Sequence, residues 1–381
     1  MKVLIAIDSF KGSISSVHGS EAIAYGIRDA YPNANILITP LADGGEGTVE
    51  ALVHATGGRI LEKEVIGPLG DKVKASYGTS KDGNTAFIEV AAACGLPLLS
   101  QGELNPMVTT TYGVGELIID AMENGYREFI IGLGGSSTND AGVGMLQALG
   151  FRFLDHHGKE VSFGGRVLAS IEQIDSENVH PLLRECTFHV ACDVRNPLYG
   201  NDGAAYIYGP QKGATPEMVK QLDAGLRHYA SIVSRDLKVD IHNIEGAGAA
   251  GGLGAAFSGF LNGKLQSGID LMLNVIDLEK KIQGVDMVIT GEGMLDSQTS
   301  MGKAPSGIAQ IASSLNIPVI AIVGAIKQED HPIKDNGLTA CFSIVNQPMS
   351  IEEAMDTATT YSNLQFVTSQ IFSLIKSVKD K

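Results

Sequence analysis

The chain opens with an uninterrupted apolar run, Val3-Leu4-Ile5-Ala6-Ile7, closed by Asp8 and the polar stretch Ser9-Phe10-Lys11-Gly12-Ser13. A run without polar alternation predicts a strand buried on both faces, as in a parallel sheet. Residues 16–30 then predict a helix. Residues 35–40, the loop Leu41-Ala42-Asp43-Gly44-Gly45-Glu46-Gly47 and a helix from 48 to about 55 repeat this unit. Two strand-loop-helix units in succession imply parallel strands joined by helical crossovers.

The pattern then changes. Residues 59–66, 72–79 and 85–91 read as strands separated by Gly-Pro-Leu-Gly-Asp and Lys-Asp-Gly-Asn, the second a hairpin signal, so an antiparallel meander interrupts the parallel series. A strand at 129–131 leads into Gly132-Leu133-Gly134-Gly135-Ser136-Ser137-Thr138-Asn139-Asp140-Ala141-Gly142-Val143-Gly144, with a helix at 145–149 behind it. A strand at 187–191, a polar helix at 216–234 and a glycine run at 246–254 follow. From 286 the parallel pattern resumes: strands at 286–290, 317–323 and 341–345, a helix at 305–314, and two helices ending near 378. The simplest architecture is α/β: a doubly wound domain built from both chain ends, residues 1–59 and 281–381, with a mixed α/β domain of residues 60–280 inserted. Two consecutive domains split near 150 would leave the first two units without enough strands for a sheet.

At 381 residues the chain exceeds the roughly 250–300 at which one core stops growing, which agrees with two domains. A formal charge of −15 argues against nucleic acid or an anionic membrane as partner, because both need a basic face. The cysteines at 94, 186, 192 and 341 show neither CxxC spacing nor a disulfide framework and read as reduced thiols in the cytoplasm. The first apolar run is too short for a signal peptide or a membrane span.

Ligands of an open parallel sheet bind beyond the carboxyl ends of its strands. Three polar loops leave those ends: one with Asp8, Ser9, Lys11 and Ser13, one with Asp43 and Glu46, and one with Glu292, Asp296, Ser297, Gln298 and Lys303. In the middle of the chain the 132–144 glycines allow close backbone approach to a ligand, and the helix behind offers unpaired amides and a positive dipole end. That suits a phosphate, though a capped turn explains the same residues. Cys192-Asp193-Val194-Arg195-Asn196-Pro197 places a carboxylate and a guanidinium in one turn, and Tyr208-Gly209-Pro210-Gln211-Lys212-Gly213 places a cation in another. Arg195 suits either a surface ion pair or a two-bond grip on a carboxylate or phosphate. Gly246-Ala247-Gly248-Ala249-Ala250-Gly251 matches GxGxxG with Asp270 beyond it, but the preceding 239–243 is a weak polar strand and the motif is not in the first unit. There is no GxxxxGK[ST] string and no HExxH grouping, and His156-His157 belongs to an exposed turn. A glycine nest, carboxylates and a few isolated cations match phosphoryl transfer better than hydrolysis or redox chemistry.

As a set, Asp8 to Ser13, Pro40 to Thr48, Gly132 to Gly142, Cys192 to Leu198, Gly246 to Gly254, and Gly291-Glu292-Gly293 through Asp296, Gln298, Gly302 and Lys303 resemble the bacterial type I glycerate kinases. That resemblance implies ATP- and Mg²⁺-dependent phosphorylation of D-glycerate, usually to 2-phosphoglycerate. It also implies a flavodoxin-like domain made of the two chain ends, an inserted α/β domain, and an active site in the cleft. The roles expected on that basis are ATP phosphates on Gly134, Gly135, Ser136, Ser137, Thr138 and Asn139, and Lys11 neutralising charge on the transferring group. Asp193, Asp296 or both would bind Mg²⁺ or act on the substrate hydroxyl. Arg195 would hold the glycerate carboxylate and Ser9 would contact substrate, with Asp43 and Glu46 completing the polar wall by binding either the substrate hydroxyls or the metal. The rivals are transfer to the 3-hydroxyl, a nucleotide-dependent oxidoreductase resting on residues 246–251, and a solute-binding module without turnover.

Overall fold

The computed structural model describes residues 1–295, 304–327 and 337–379, and divides into two compact units. One comprises residues 1–43, 50–57 and 269–381, the other residues 44–49 and 58–268. In chain order the strands are β1 Lys2–Ile7, β2 Asn35–Ile38, β3 Arg59–Ile66, β4 Lys72–Thr79, β5 Thr85–Glu89, β6 Glu128–Gly132, β7 Arg152–Leu154, β8 Gln173–Asp175, β9 Thr187–Ala191, β10 Lys264–Gln266, β11 Met287–Gly291, β12 Met294–Leu295, β13 Val319–Val323, β14 Ala325–Ile326 and β15 Ala340–Ser343.

The first unit carries a parallel sheet in the order β15-β13-β11-β1-β2. Val3 to Ile7 of β1 are fully buried, as the apolar run requires, and Val3 lies opposite Met287 of β11. That pairing joins the two chain ends in one sheet and excludes consecutive domains split near 150. Numbered within the sheet, the order is 2-1-3-4-5, the flavodoxin-like arrangement. The helix Ser16–Ala30 is capped by Ser15, whose hydroxyl accepts from the His18 amide, and buries Ala22, Ile23, Ile27 and Ala30 at helical spacing. It packs with the last helix, Thr357–Lys379, through a core that includes Leu364, Ile371 and Phe372. The chain leaves β1 toward β2 on one side and β11 toward β13 on the other. Their ends therefore form a topological switch point, where the diverging loops open a crevice.

The second unit carries a mixed six-stranded sheet, β10-β9-β6-β5-β4-β3. β3 and β4 pair antiparallel from Arg59 opposite Thr79 to Ile66 opposite Lys72, and β4 pairs antiparallel with β5. β5, β6, β9 and β10 are parallel. Phe129 of β6 stacks on Phe188 of β9 with ring centroids 4.9 Å apart, which fixes neighbouring strands through their side chains. Val114, Leu117, Ile118 and Ala121 of the helix Tyr112–Glu123 are buried against this sheet. Residues 239–243 form no strand: the stretch has three polar positions in five, too few apolar ones to bury a ladder.

Candidate active site

The crevice in the first unit is a cavity of about 700 Å³, within the range of small-molecule sites. Asp8, Ser9, Lys11, Asp43 and Glu292 form its polar wall, and Ile344, Ile351 and Met355 contribute to an apolar one. Lys11 donates to Asp43 at 2.9 Å. Burial opposes its charge, but Asp43, Asp8 and Glu292 together hold its pKa above the usual lysine value. Asp8 is 6% exposed and accepts from the Ser9 amide at 2.6 Å. Burial, and after it the charge of Asp43, pushes its carboxyl up to about 7, against the opposing pull of the Ser9 amide and Lys11. Ser9, Lys11 and Asp43, singled out from the sequence, thus share one cavity with two acids, Asp8 and Glu292, that were not assigned a role.

In the second unit the 132–144 loop leaves the buried end of β6. Cys94 and Leu96 hold it: the Leu96 amide donates to Gly135 O at 2.8 Å, the Ser137 amide to Cys94 O at 2.8 Å, and the Ser137 hydroxyl to the same oxygen at 2.9 Å. A Cβ on Gly134 would lie 2.8 Å from Gly45 Cα, and Gly135 has φ +75°, so both positions exclude ordinary side chains. Among the described residues, the amides of Gly134, Gly135 and Ser136 donate to no protein group. Successive free amides of this kind form an anion-binding nest.

The reason expected for anion affinity, a free helix N-terminus, does not hold. The helix Val143–Ala148 has only six residues, and its first amides are already taken. Val143 donates to Asp140 O at 2.9 Å, Gly144 to Asp140 Oδ2 at 3.3 Å and Met145 to Thr111 Oγ1 at 2.9 Å. Asp140 itself is buried and also accepts from the Thr111 amide and hydroxyl, each at 2.9 Å, and from Gly142 at 3.1 Å. Burial raises its pKa against those bonds. The donors that remain are those of the nest, not of the helix.

Asp193 and Arg195 lie in an exposed loop of this unit. Asp193 accepts from the Gly268 amide at 3.0 Å, and Arg195, 86% exposed, approaches Glu245 at 3.4 Å. Glu46 is exposed and falls in the second unit with the glycine loop, whereas Asp43 falls in the first. Asp296 and Lys303 lie outside the described residues. The GxGxxG stretch follows no strand and packs on its own unit's backbone: a Cβ on Gly248 would meet Pro197 O at 2.4 Å, and one on Gly251 would meet Thr138 O at 2.0 Å. Gly251 O accepts from the Ala141 amide at 3.0 Å, so the motif buttresses the glycine loop instead of opening a dinucleotide site. Lys212 is buried directly beneath that loop, with its ammonium on Ser136 Oγ at 2.9 Å and Thr138 O at 2.7 Å. The turn containing it was legible; its target was not. All four cysteines are free, and His156 and His157 are exposed.

With this geometry in view, residues 3–376 match the Glycerate kinase family. The chain belongs to that family. A glycerate 2-kinase from Escherichia coli K12 is 46% identical over 364 residues, covering 96% of this chain and 95% of that one. A glycerate kinase from Haemophilus influenzae is 50% identical over 347 residues, covering 91% and 92%. A crystal structure from Salmonella typhimurium LT2, described as a glycerate kinase 2, covers 100% of both chains with a TM-score of 0.90 and 45% identity. Family membership carries a phosphotransferase activity with glycerate and ATP as substrates. Among the described residues no helix is long and apolar enough to cross a membrane.

Mg²⁺ binds through one or two carboxylates and substrate phosphates more often than in an all-protein cage. Among the described residues no three acidic, histidine or cysteine side chains are grouped to hold a metal. The available donors, hard carboxylate oxygens, fit an ion that arrives with a nucleotide.

Proposed function

We propose that this chain transfers the γ-phosphoryl group of ATP to the 2-hydroxyl of D-glycerate in a Mg²⁺-dependent reaction. The observation that carries the reading is the cavity at the β1–β11 switch point, where Lys11 stands beside a carboxyl, Asp8, whose pKa lies near neutrality. The name of the Escherichia coli relative, glycerate 2-kinase, supports the 2-hydroxyl over the 3-hydroxyl.

In this mechanism Asp8 is the general base. The 2-hydroxyl oxygen of glycerate forms the new bond to the γ-phosphorus, its proton passes to the Asp8 carboxylate, and the bond from phosphorus to the ADP oxygen breaks. A base with a pKa near the working pH combines a useful ionised fraction with real proton affinity. Lys11 neutralises charge on the transferring group. Ser9, Asp43 and Glu46 contact the glycerate hydroxyls, and Arg195 takes the carboxylate with two parallel bonds. The amides of Gly134, Gly135 and Ser136 hold nucleotide phosphates, with Ser137, Thr138 and Asn139 completing the loop. The buried Asn139 side chain, which among the described residues has no hydrogen-bond partner at either amide atom, supports a ligand there. Mg²⁺, when bound, would neutralise phosphate charge, and Asp193 and Asp296 are the carboxylates that would hold it.

The test uses two acids that differ in one group. D-glycerate should release ADP from Mg·ATP, while 3-hydroxypropionate, which lacks the 2-hydroxyl, should not. Steady turnover of 3-hydroxypropionate would move the transfer to the 3-position.

A further inference from the structure

Lys212 has no part in that mechanism, and its setting is costly. It ends the turn Pro210–Lys212, is 2% exposed, and among the described residues forms no ion pair. The titratable groups that face it are Cys94 and Asp140. Burial drives the Cys94 thiol up to about 12, so it is neutral, and the Asp140 carboxylate is committed to Thr111, Gly142 and Gly144. A buried ammonium without a contacting carboxylate is unfavourable unless its charge serves another group.

The hydrogen-bond directions identify that group. A charged lysine has three donors and no acceptor, so Ser136 Oγ must accept from Nζ and the serine's own hydrogen must turn elsewhere. Among the described residues it is given to no other group. The same serine carries one of the three free amides of the nest. Lys212 also holds Thr138 O, and so fixes the loop at two points two residues apart.

We propose that Lys212 is a positioning residue of the nucleotide site, setting Ser136 as a hydrogen-bond donor to a phosphate oxygen and placing a positive charge behind the amide nest. The inference rests on the reading of the 134–139 loop as a phosphate site. It also makes nucleotide affinity depend on pH. Burial pulls the Lys212 pKa down to about 8, against the opposing charge of the Asp140 carboxylate. Once neutral, the amine can accept the Ser136 hydrogen, and the loop loses both a donor and a charge.

Calorimetric titration of ADP without glycerate, between pH 7.5 and 9.5, tests this. Phosphate groups with a second pKa of about 6 are already ionised throughout that range. The wild-type protein should lose at least about tenfold in affinity as pH rises through about 8, consistent with losing one charge-assisted contact. Lys212→Met should bind ADP at least about tenfold more weakly at pH 7.5 and show no inflection near 8, and Ser136→Ala should show a smaller inflection than wild type. Adding Lys212→Met to Ser136→Ala should weaken binding less than it does in wild type. A flat wild-type profile overturns the inference even if Lys212→Met fails to fold. Unchanged affinity and inflection in a folded Lys212→Met overturns it too. If Gly134→Ala and Ser136→Ala both leave ADP affinity unchanged, the phosphate-loop reading fails; if they weaken binding and Lys212→Met does not, only the lysine's role fails.

Discussion

Replacing Asp8 by Asn separates chemistry from stability at one atom. The amide keeps an oxygen to accept the Ser9 bond, so the change removes a titration and a charge with little change in shape. The carboxyl rises from 3.8 to about 7 in the folded chain, a shift of about 3 units, or about 4 kcal/mol between the two protonation states. Between those values the folded state binds a proton that the unfolded state does not. Stability from this group is therefore complete below about pH 4 and lost as pH rises through about 7. From pH 5 to pH 8 the loss is about 3 kcal/mol by linkage, and Asp8→Asn does not suffer it. Chemical unfolding of both proteins at pH 5 and pH 8 should show the variant's relative stability growing by that amount. Turnover moves the other way: wild-type kcat/KM should rise with pH to a plateau above about 7, and the variant should lose that limb along with roughly 10²-fold to 10⁴-fold in rate. Equal relative stability at the two pH values would refute the raised pKa. Near wild-type turnover in Asp8→Asn would refute the base.

Lys11→Met removes the cation on the polar wall and should lower turnover by roughly 10²-fold or more, with near wild-type kcat excluding its role. Gly134→Ala puts a Cβ 2.8 Å from Gly45 Cα and should weaken ADP binding at least about tenfold, measured by calorimetry; unchanged affinity would place the nucleotide phosphates elsewhere. For Asp193→Asn and Asp296→Asn, an increased Mg²⁺ requirement for turnover is expected, and a Mg²⁺ titration identical to wild type would remove the residue from the metal site.

Much of the fold was legible because burial leaves a simple signature. The polar-free run Val3 to Ile7 marks a central strand, and the resumption of that pattern after 286 places the chain's second end in the same sheet. The polar loops after β1 and β2 were legible as strand-end loops, which is why Ser9, Lys11 and Asp43 were found together. Side-chain direction over long separations was not legible. Thr111 Oγ1 takes the Met145 amide across 34 positions, one of the amides that local sequence assigned to a ligand. Lys212 reaches Ser136 across 76 positions. The glycines of 246–251 match a dinucleotide motif because both uses need close backbone approach, and only the absence of a preceding strand and the contact with Thr138 distinguish them. The raised pKa of Asp8 follows from burial beside Asp43, a property of packing that no spacing encodes.

The central claim is transfer of a phosphoryl group from ATP to the 2-hydroxyl of D-glycerate. Phosphorus NMR of the product formed from Mg·ATP and D-glycerate tests it most directly. The account predicts one new phosphate ester, coupled to the single proton on carbon 2, formed in step with ADP. An ester coupled to the two protons of carbon 3, or ADP released without any ester of glycerate, would contradict it.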